Sequence, residues 1–276
     1  MNKLNLTFSH LRNQCIPLVK GLACFFLIVT ASAFQAKEVI KNTPIANNNT
    51  ADGERLVTLH SDEFKAFTNR IHRQLEYPTG YDSLREDVLE NALRGYMYLK
   101  HTQALSNTKY LTVIDFSKYC NNRRLWVIDM ETKEVVFNEW VAHGAKTGDQ
   151  YAKYFSNRHS SNKSSLGFYT TGGLYNGSNK LSLKLNGLEK NFNSNAFARG
   201  IVIHGANYVD ETIVNRKERI GRSFGCPAVS EDINKILVNT IKGGNCLFIW
   251  HPTTYYLKNS KILNANLYIT VDDLSI

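Results

Sequence analysis

Ile201-Val202-Ile203-His204-Gly205-Ala206 and, downstream, Gly221-Arg222-Ser223-Phe224-Gly225-Cys226-Pro227-Ala228 are the segments from which the rest of the chain is read. Three consecutive β-branched residues predict a buried strand, and His204 stands at its end with Gly205 behind it, where the backbone can turn sharply. In the second segment Pro227 biases Cys226 away from the helical region, and Gly225 allows a positive φ, so the thiol is expected to project from a rigid turn. The amide N–H groups of residues 224 to 226 could then share one concavity suited to an oxyanion. A thiol with a pKa of about 8.5 needs a base or a cationic neighbour before it becomes a nucleophile. His204 is the candidate base, and Arg199, Arg219 and Arg222 flank the pair as groups that could favour the thiolate or hold an anion.

Working outward, runs rich in Val, Ile, Phe, Tyr and Trp predict strands over Tyr110 to Phe116, Arg124 to Met130, Val135 to His143, Leu166 to Thr171 and Leu181 to Leu188. Ser230, followed by Glu231 and Asp232, predicts the cap of a late helix that runs to Ile241 and ends at Gly243-Gly244, and Cys246 to Trp250 reads as a last core strand. Two helices precede the strands. Ser61 caps the first, whose apolar face is Phe64, Phe67, Ile71 and Leu75; a Ser83-to-Glu86 capping box opens the second, with Leu84, Val88, Ala92, Tyr96 and Leu99 on one side. The polar stretch Tyr151 to Ser165 exceeds a plain hairpin loop and is the candidate lid. The fold class expected is therefore α+β: a mostly β domain with one late helix, preceded by a helical hairpin.

Composition narrows the function classes. Of 276 residues, 43% are apolar, enough to bury a core, and 33 Lys and Arg against 24 Asp and Glu give a scattered basic excess rather than a nucleic-acid footprint. Five cysteines are too few for a disulfide scaffold. Lys3, Arg12 and Lys20, then the apolar run Gly21 to Ala33 ending in Ala31-Ser32-Ala33, predict a secretory signal peptide too short to remain as a membrane anchor. Its removal takes three positive charges and lowers the excess from +9 to +6. The chain is expected to divide into a signal peptide (1–33), a linker (34–56), an N-terminal helical segment (57–106) and a catalytic domain (107–276), working outside the cytoplasm as a monomer.

The set Ile203-His204-Gly205-Ala206 with Gly221-Arg222-Ser223-x-Gly225-Cys226 resembles the signature of the YkuD-like L,D-transpeptidases, and Ser165-Leu166-Gly167-Phe168-Tyr169 resembles that family's Thr-Pro-x-Gly-x-Phe segment. The resemblance spans about Lys109 to Pro252 and is nearest the variant branch carrying Gly-Cys-Pro-Ala, the murein L,D-transpeptidase catalytic domain proteins. It departs from the better-studied branch, which has His before Gly-Cys and Arg two residues after the Cys, where this chain has Phe224 and Ala228.

The resemblance implies that Cys226 attacks a stem-peptide carbonyl, that His204 is base and then acid, and that the Gly205 carbonyl orients the imidazole. It also implies that Arg222, Ser223, Phe224, Gly225 and Tyr169 line the substrate. Partners would be peptidoglycan stem peptides in the periplasm or cell wall, with no nucleic acid and no cofactor. Hydrolysis of the same thioester would make the protein an L,D-carboxypeptidase, and a secreted wall-binding module without activity is the non-enzyme alternative. A zinc site from His204, Cys226 and His143 lacks both C-x-x-C and H-E-x-x-H, and a papain-like order would place Cys before His. Cys120 and Cys246 are the candidates for a disulfide.

Overall fold

The computed structural model describes residues 55–274; the expected signal peptide and nearly all of the expected linker lie outside them. Element order is β1 (Leu56–Thr58), α1 (Asp62–Gln74), α2 (Glu86–His101), β2 (Tyr110–Asp115), β3 (Leu125–Asp129), β4 (Val135–Glu139), β5 (Gly167–Gly177), β6 (Lys180–Gly187) and β7 (Val202–Gly205). Then come α3 (Glu211–Asn215), β8 (Ala228–Val229), α4 (Glu231–Ile241), β9 (Cys246–Trp250), α5 (Thr254–Asn259) and β10 (Tyr268–Thr270). Eight strands form one sheet in the order β4-β3-β2-β9-β5-β6-β7-β8, while β1 and β10 pair separately.

The edges of that sheet come together. Beyond β4 the chain continues to Ala142, whose N–H donates to the Ala228 carbonyl at 2.8 Å, and Ser223 donates to the His143 carbonyl at 3.0 Å. Ala145 in turn donates to the Ser223 carbonyl at 2.7 Å. These bonds satisfy edge groups that would otherwise be open, nearly close the sheet, and place Ser223 to Ala228 at the seam.

The core accounts for the elements. Residues 125–129 of β3 and 246–250 of β9 are buried throughout, as central strands covered on both faces require. On one side α4 rests over β7, its Leu237, Val238 and Ile241 sharing a core with Leu183, Ile203 and Val229. Against the sheet α2 approaches so closely that a Cβ at Gly95 would lie 1.9 Å from Phe168, whose ring stacks on Phe248 at 4.1 Å. The apolar faces of α1 and α2 belong to this same core.

Several local expectations change. The Ser83 capping box does not form: helix α2 starts at Glu86 with Arg85 as an uncapped N-cap, and the Leu84 N–H before it bonds to the Tyr77 hydroxyl at 3.0 Å. Strand β5 runs past Thr171 to Gly177, its register shifting between Thr171 and Leu174. Short α3 and α5 join the late helix α4. Cys120 and Cys246 are both buried free thiols, so no disulfide links them. Among the described residues, no helix is long and apolar enough to cross a membrane.

Candidate functional site

Strand register sets the geometry. His204 pairs with Ser182 on β6 and, in parallel, with Ala228 on β8. Cys226, two residues before Ala228, thus stands beside β7 with its sulfur at the backbone of Gly200 and Val202, while His204, alternating with Ile203 under α4, faces away from that helix. The His204 N–H reaches the Pro227 carbonyl at 3.4 Å. Histidine and cysteine are therefore diagonal neighbours on adjacent segments, at the point where the sheet closes.

His204 is buried, and Nδ1 lies 2.9 Å from the Gly205 carbonyl oxygen. A carbonyl can only accept, so Nδ1 carries the proton and Nε2 keeps a lone pair. Burial lowers the imidazole pKa, the Gly205 hydrogen bond opposing this more weakly. The shift favours the neutral ring.

Cys226 is half-buried, and its thiol donates to the Gly200 carbonyl at 3.7 Å. Burial pushes the thiol pKa up; a backbone hydrogen bond from Val202 and the charge of Arg199 pull it down by less. Expectation and structure part here. Three nearby arginines suggested a favoured thiolate, yet desolvation outweighs the charge of Arg199. Arg219 and Arg222 are instead held by Asp149, at 3.0 and 3.4 Å.

The turn carrying the thiol is fastened from inside and outside. The Ser223 hydroxyl, 5% exposed, accepts from the Gly225 N–H at 3.0 Å and donates to the Cys226 carbonyl at 2.6 Å. Ser164, wholly buried, accepts from Gly144 N–H at 3.0 Å and donates to the Gly225 carbonyl at 3.1 Å. Gly225 has φ +131°, and a Cβ there would stand 2.9 Å from the Lys163 carbonyl, so both conformation and space exclude a side chain. Because Ser223 occupies the Gly225 N–H, the expected concavity of three free amides is not present. Among the described residues the Cys226 N–H has no partner.

The remaining expected site residues are distributed as follows. Phe224 is 81% exposed, immediately before Gly225. Tyr169 is corrected: it is fully buried, with its hydroxyl on the Ser165 carbonyl at 3.1 Å, a core residue of β5 out of reach of any ligand. Strand β5 is covered on both sides here, its neighbour Phe168 being fully buried as well. Arg222 donates to the Gly148 carbonyl at 2.9 Å and the Ala145 carbonyl at 3.3 Å, bracing the loop beside the seam. His143, buried and packed edge-on against Phe116, accepts at Nδ1 from Arg124 at 2.9 Å; burial and that guanidinium lower its pKa to about 4.

The 151–165 stretch is corrected from lid to wall. Lys153 and Tyr154 donate to the Thr147 carbonyl at 2.8 Å each, and Ser156 donates to the Ser164 carbonyl at 3.0 Å. Arg199 staples it further, reaching the Ser156 and Lys163 carbonyls at 2.7 Å each. Ser164 reads in the sequence as an ordinary polar residue, and Arg199, expected there as a group that could favour the thiolate or hold an anion, gave no signal of its stapling role. Tyr208 is a further neighbour: burial and the Cys226 thiolate charge would push its phenol up to about 12.

A family model described as an L,D-transpeptidase catalytic domain matches residues 81–250. Among solved structures, an L,D-transpeptidase from Mycobacterium smegmatis is similar at 12% identity and a TM-score of 0.34, over 52% of this chain and 60% of that one. An L,D-transpeptidase from Xylanimonas cellulosilytica is 18% identical with a TM-score of 0.30, over 75% and 100%. A helical cell shape determining protein from Campylobacter jejuni is 12% identical with a TM-score of 0.37, over 58% and 57%. The chain spans less than two thirds of the first of these proteins. No curated protein matches.

Proposed function

The chain belongs to the family of L,D-transpeptidase catalytic domains, and from that premise we propose that it cross-links peptidoglycan stem peptides through a cysteine thioester. The register at the seam supports the proposal: a thiol on a braced turn lies on the segment next to the strand of His204, whose Nδ1 proton is committed to the Gly205 carbonyl.

In the proposed cycle the resting state is a neutral pair. Nε2 of His204 takes the Cys226 proton as sulfur attacks the carbonyl of the stem-peptide residue before the terminal D-Ala. The oxyanion is received by the Cys226 N–H. Collapse breaks the peptide bond, and the D-Ala amine leaves with the proton that His204 held. An acceptor amine then attacks the thioester, gives its proton to Nε2, and forms the new amide as sulfur recovers a proton. Desolvation of the thiol, which raises the cost of the free thiolate, couples proton transfer to attack. Water in place of the amine would give the carboxypeptidase reaction. Phe224, exposed beside the nucleophile, is proposed to contact substrate, and Ser223 and Gly225 to shape the turn that presents the sulfur. Export by the N-terminal signal segment, to the periplasm or cell wall, belongs to the same proposal.

The test is incubation of the protein with purified disaccharide-tetrapeptides and mass analysis of the products. Cross-linked dimers from wild type and none from Cys226→Ala support the proposal; tripeptide monomers alone would replace it with hydrolysis. Product from Cys226→Ala at the wild-type rate would refute the cysteine mechanism.

A further inference from the structure

We infer that Lys184, set between the rings of Tyr175 and Phe197 on the sheet face that carries His204, is a specificity-determining residue that binds a carboxylate of the stem peptide. The inference rests on the proposed reaction and adds to it the group that selects the substrate.

The position follows from register. Lys184 pairs with Val202 across β6 and β7, just as Ser182 pairs with His204. Cys226 stands on the other side of Val202. Extending the β7–β8 register past Ala228 sets Cys226 beyond Val202, so two strand spacings, roughly 10 Å between backbones, separate Lys184 from Cys226. Val202 between them is 4% exposed, whereas Lys184 is open to solvent. The opposite face of β6 is core, with Leu183 and Leu185 fully buried, so the lysine projects on the side that His204 occupies.

A second path joins the same two points. The Cys226 thiol bonds to the Gly200 carbonyl, the Gly200 N–H bonds to the Phe197 carbonyl at 3.0 Å, and the Lys184 ammonium lies 5.9 Å from the centre of the Phe197 ring and 5.5 Å from that of Tyr175. One short turn thus forms a rim with the sulfur at one end and the cation at the other.

Charge completes the case. The guanidinium groups near the sulfur are committed: Arg199 to carbonyls of the 156–163 wall, Arg219 and Arg222 to Asp149. Lys184 makes no salt bridge to any carboxylate among the described residues, and two π faces hold it in place of a counterion. Phe197 and Tyr175 are 62% and 37% exposed, so an entering ligand meets an ammonium flanked by apolar surface. A carboxylate on a peptide whose aliphatic portion rests on the two rings fits that chemistry.

The experiment titrates Cys226→Ala, which binds without turnover, with a synthetic stem tetrapeptide and with analogues in which one carboxylate at a time is a carboxamide. Adding Lys184→Met should weaken the free-acid peptide roughly tenfold, the range of one charge-assisted hydrogen bond. It should cost nothing for the analogue already lacking the recognised carboxylate, and that analogue identifies which carboxylate is bound. Adding Lys184→Arg instead should keep most of the affinity. Equal affinities with and without Lys184→Met, an equal loss for every peptide, or no peptide binding to Cys226→Ala would each overturn the inference. The reaction itself is read separately, by wild-type product formation; a protein that binds through Lys184 yet forms no product would refute the reaction and leave the binding role standing.

Discussion

Ser223→Ala removes one oxygen atom and separates two contributions to the site. In the wild type that oxygen accepts from Gly225 N–H and donates to the Cys226 carbonyl within one turn, in a position 5% exposed. Water cannot readily replace it, so both backbone groups lose their partner. At about 1 to 3 kcal/mol for the buried Gly225 N–H and about 1 kcal/mol for the part-buried Cys226 carbonyl, the cost is roughly 2 to 4 kcal/mol. The urea midpoint should fall by about 1 M for a slope at the upper end of the usual range. Two activities should move in opposite directions. A loosened turn exposes the sulfur, relieves the burial that raises its pKa, and speeds alkylation by iodoacetamide at pH 7. Turnover of muropeptides should fall about a hundredfold, the penalty for a reacting atom displaced by about 1 Å. A midpoint shift below about 0.2 M with alkylation unchanged would show that Ser223 does not hold the turn. Alkylation and turnover falling together would show that it acts on the sulfur's reactivity rather than its placement.

Other expectations follow from the same geometry. Alkylation of Cys226 should rise with pH through a value above the ordinary thiol pKa of about 8.5, and turnover should fall on the acid side as His204 takes a proton below the ordinary imidazole value of about 6.5; an alkylation rate already level at neutral pH would instead demonstrate a thiolate–imidazolium pair. For His143 the folded pKa of about 4 lies below the unfolded value, so its contribution is complete above about pH 6.5 and is lost as pH falls to about 4, roughly 3 kcal/mol in all. Comparing urea unfolding of wild type and His143→Asn across that window measures it, and parallel pH profiles would contradict it. Gly95→Ala, which at an exposed helix position would stabilise by about 1 kcal/mol, should here destabilise by about 1 to 3 kcal/mol because the new methyl group meets Phe168; a raised melting temperature would refute the close packing of α2 on the sheet.

Elements legible in the sequence are those whose determinants are local. Ser230 caps α4 by accepting from Ile233 N–H, and Cys246–Trp250 is a strand from end to end, because a cap and a run of central-strand residues carry their own information. By contrast β8 is two residues long and exists as a strand because His204, Gly205 and the incoming Ala142 supply its hydrogen-bond partners. No propensity scale could reveal it. The Ser83 box failed for a related reason. Ser83 stays outside the helix, where the next residue, Leu84, is anchored by its side chain in the core and by its N–H on the hydroxyl of Tyr77, seven residues away. Thr171 to Lys180 is full of turn residues, yet it continues a hairpin because the Leu174–Leu183 contact across the register shift extends the sheet.

The site divides along the same line, with one consequence for chemistry. Cys226, Pro227 and Gly225 announce a thiol on a turn, and His204 a histidine at a strand end, since the conformational demands of a turn are written in neighbouring residues. What the neighbours do to protonation is not written there. Counting Arg199, Arg219 and Arg222 along the sequence suggests a field that favours thiolate; in space two of the three face Asp149, and the third spends its donors on the wall from Ser156 to Lys163. Burial then decides the sign, raising the thiol and lowering the imidazole. A neutral pair is less reactive toward stray electrophiles than a thiolate–imidazolium pair, and it makes nucleophile activation depend on a substrate whose carbonyl is already in place. If that coupling is how the site works, Arg199→Met should harm turnover chiefly by freeing the wall, with only a small further rise in the thiol pKa. A variant in which alkylation slows as steeply as turnover would show that the guanidinium charge, rather than the wall it holds, governs the sulfur.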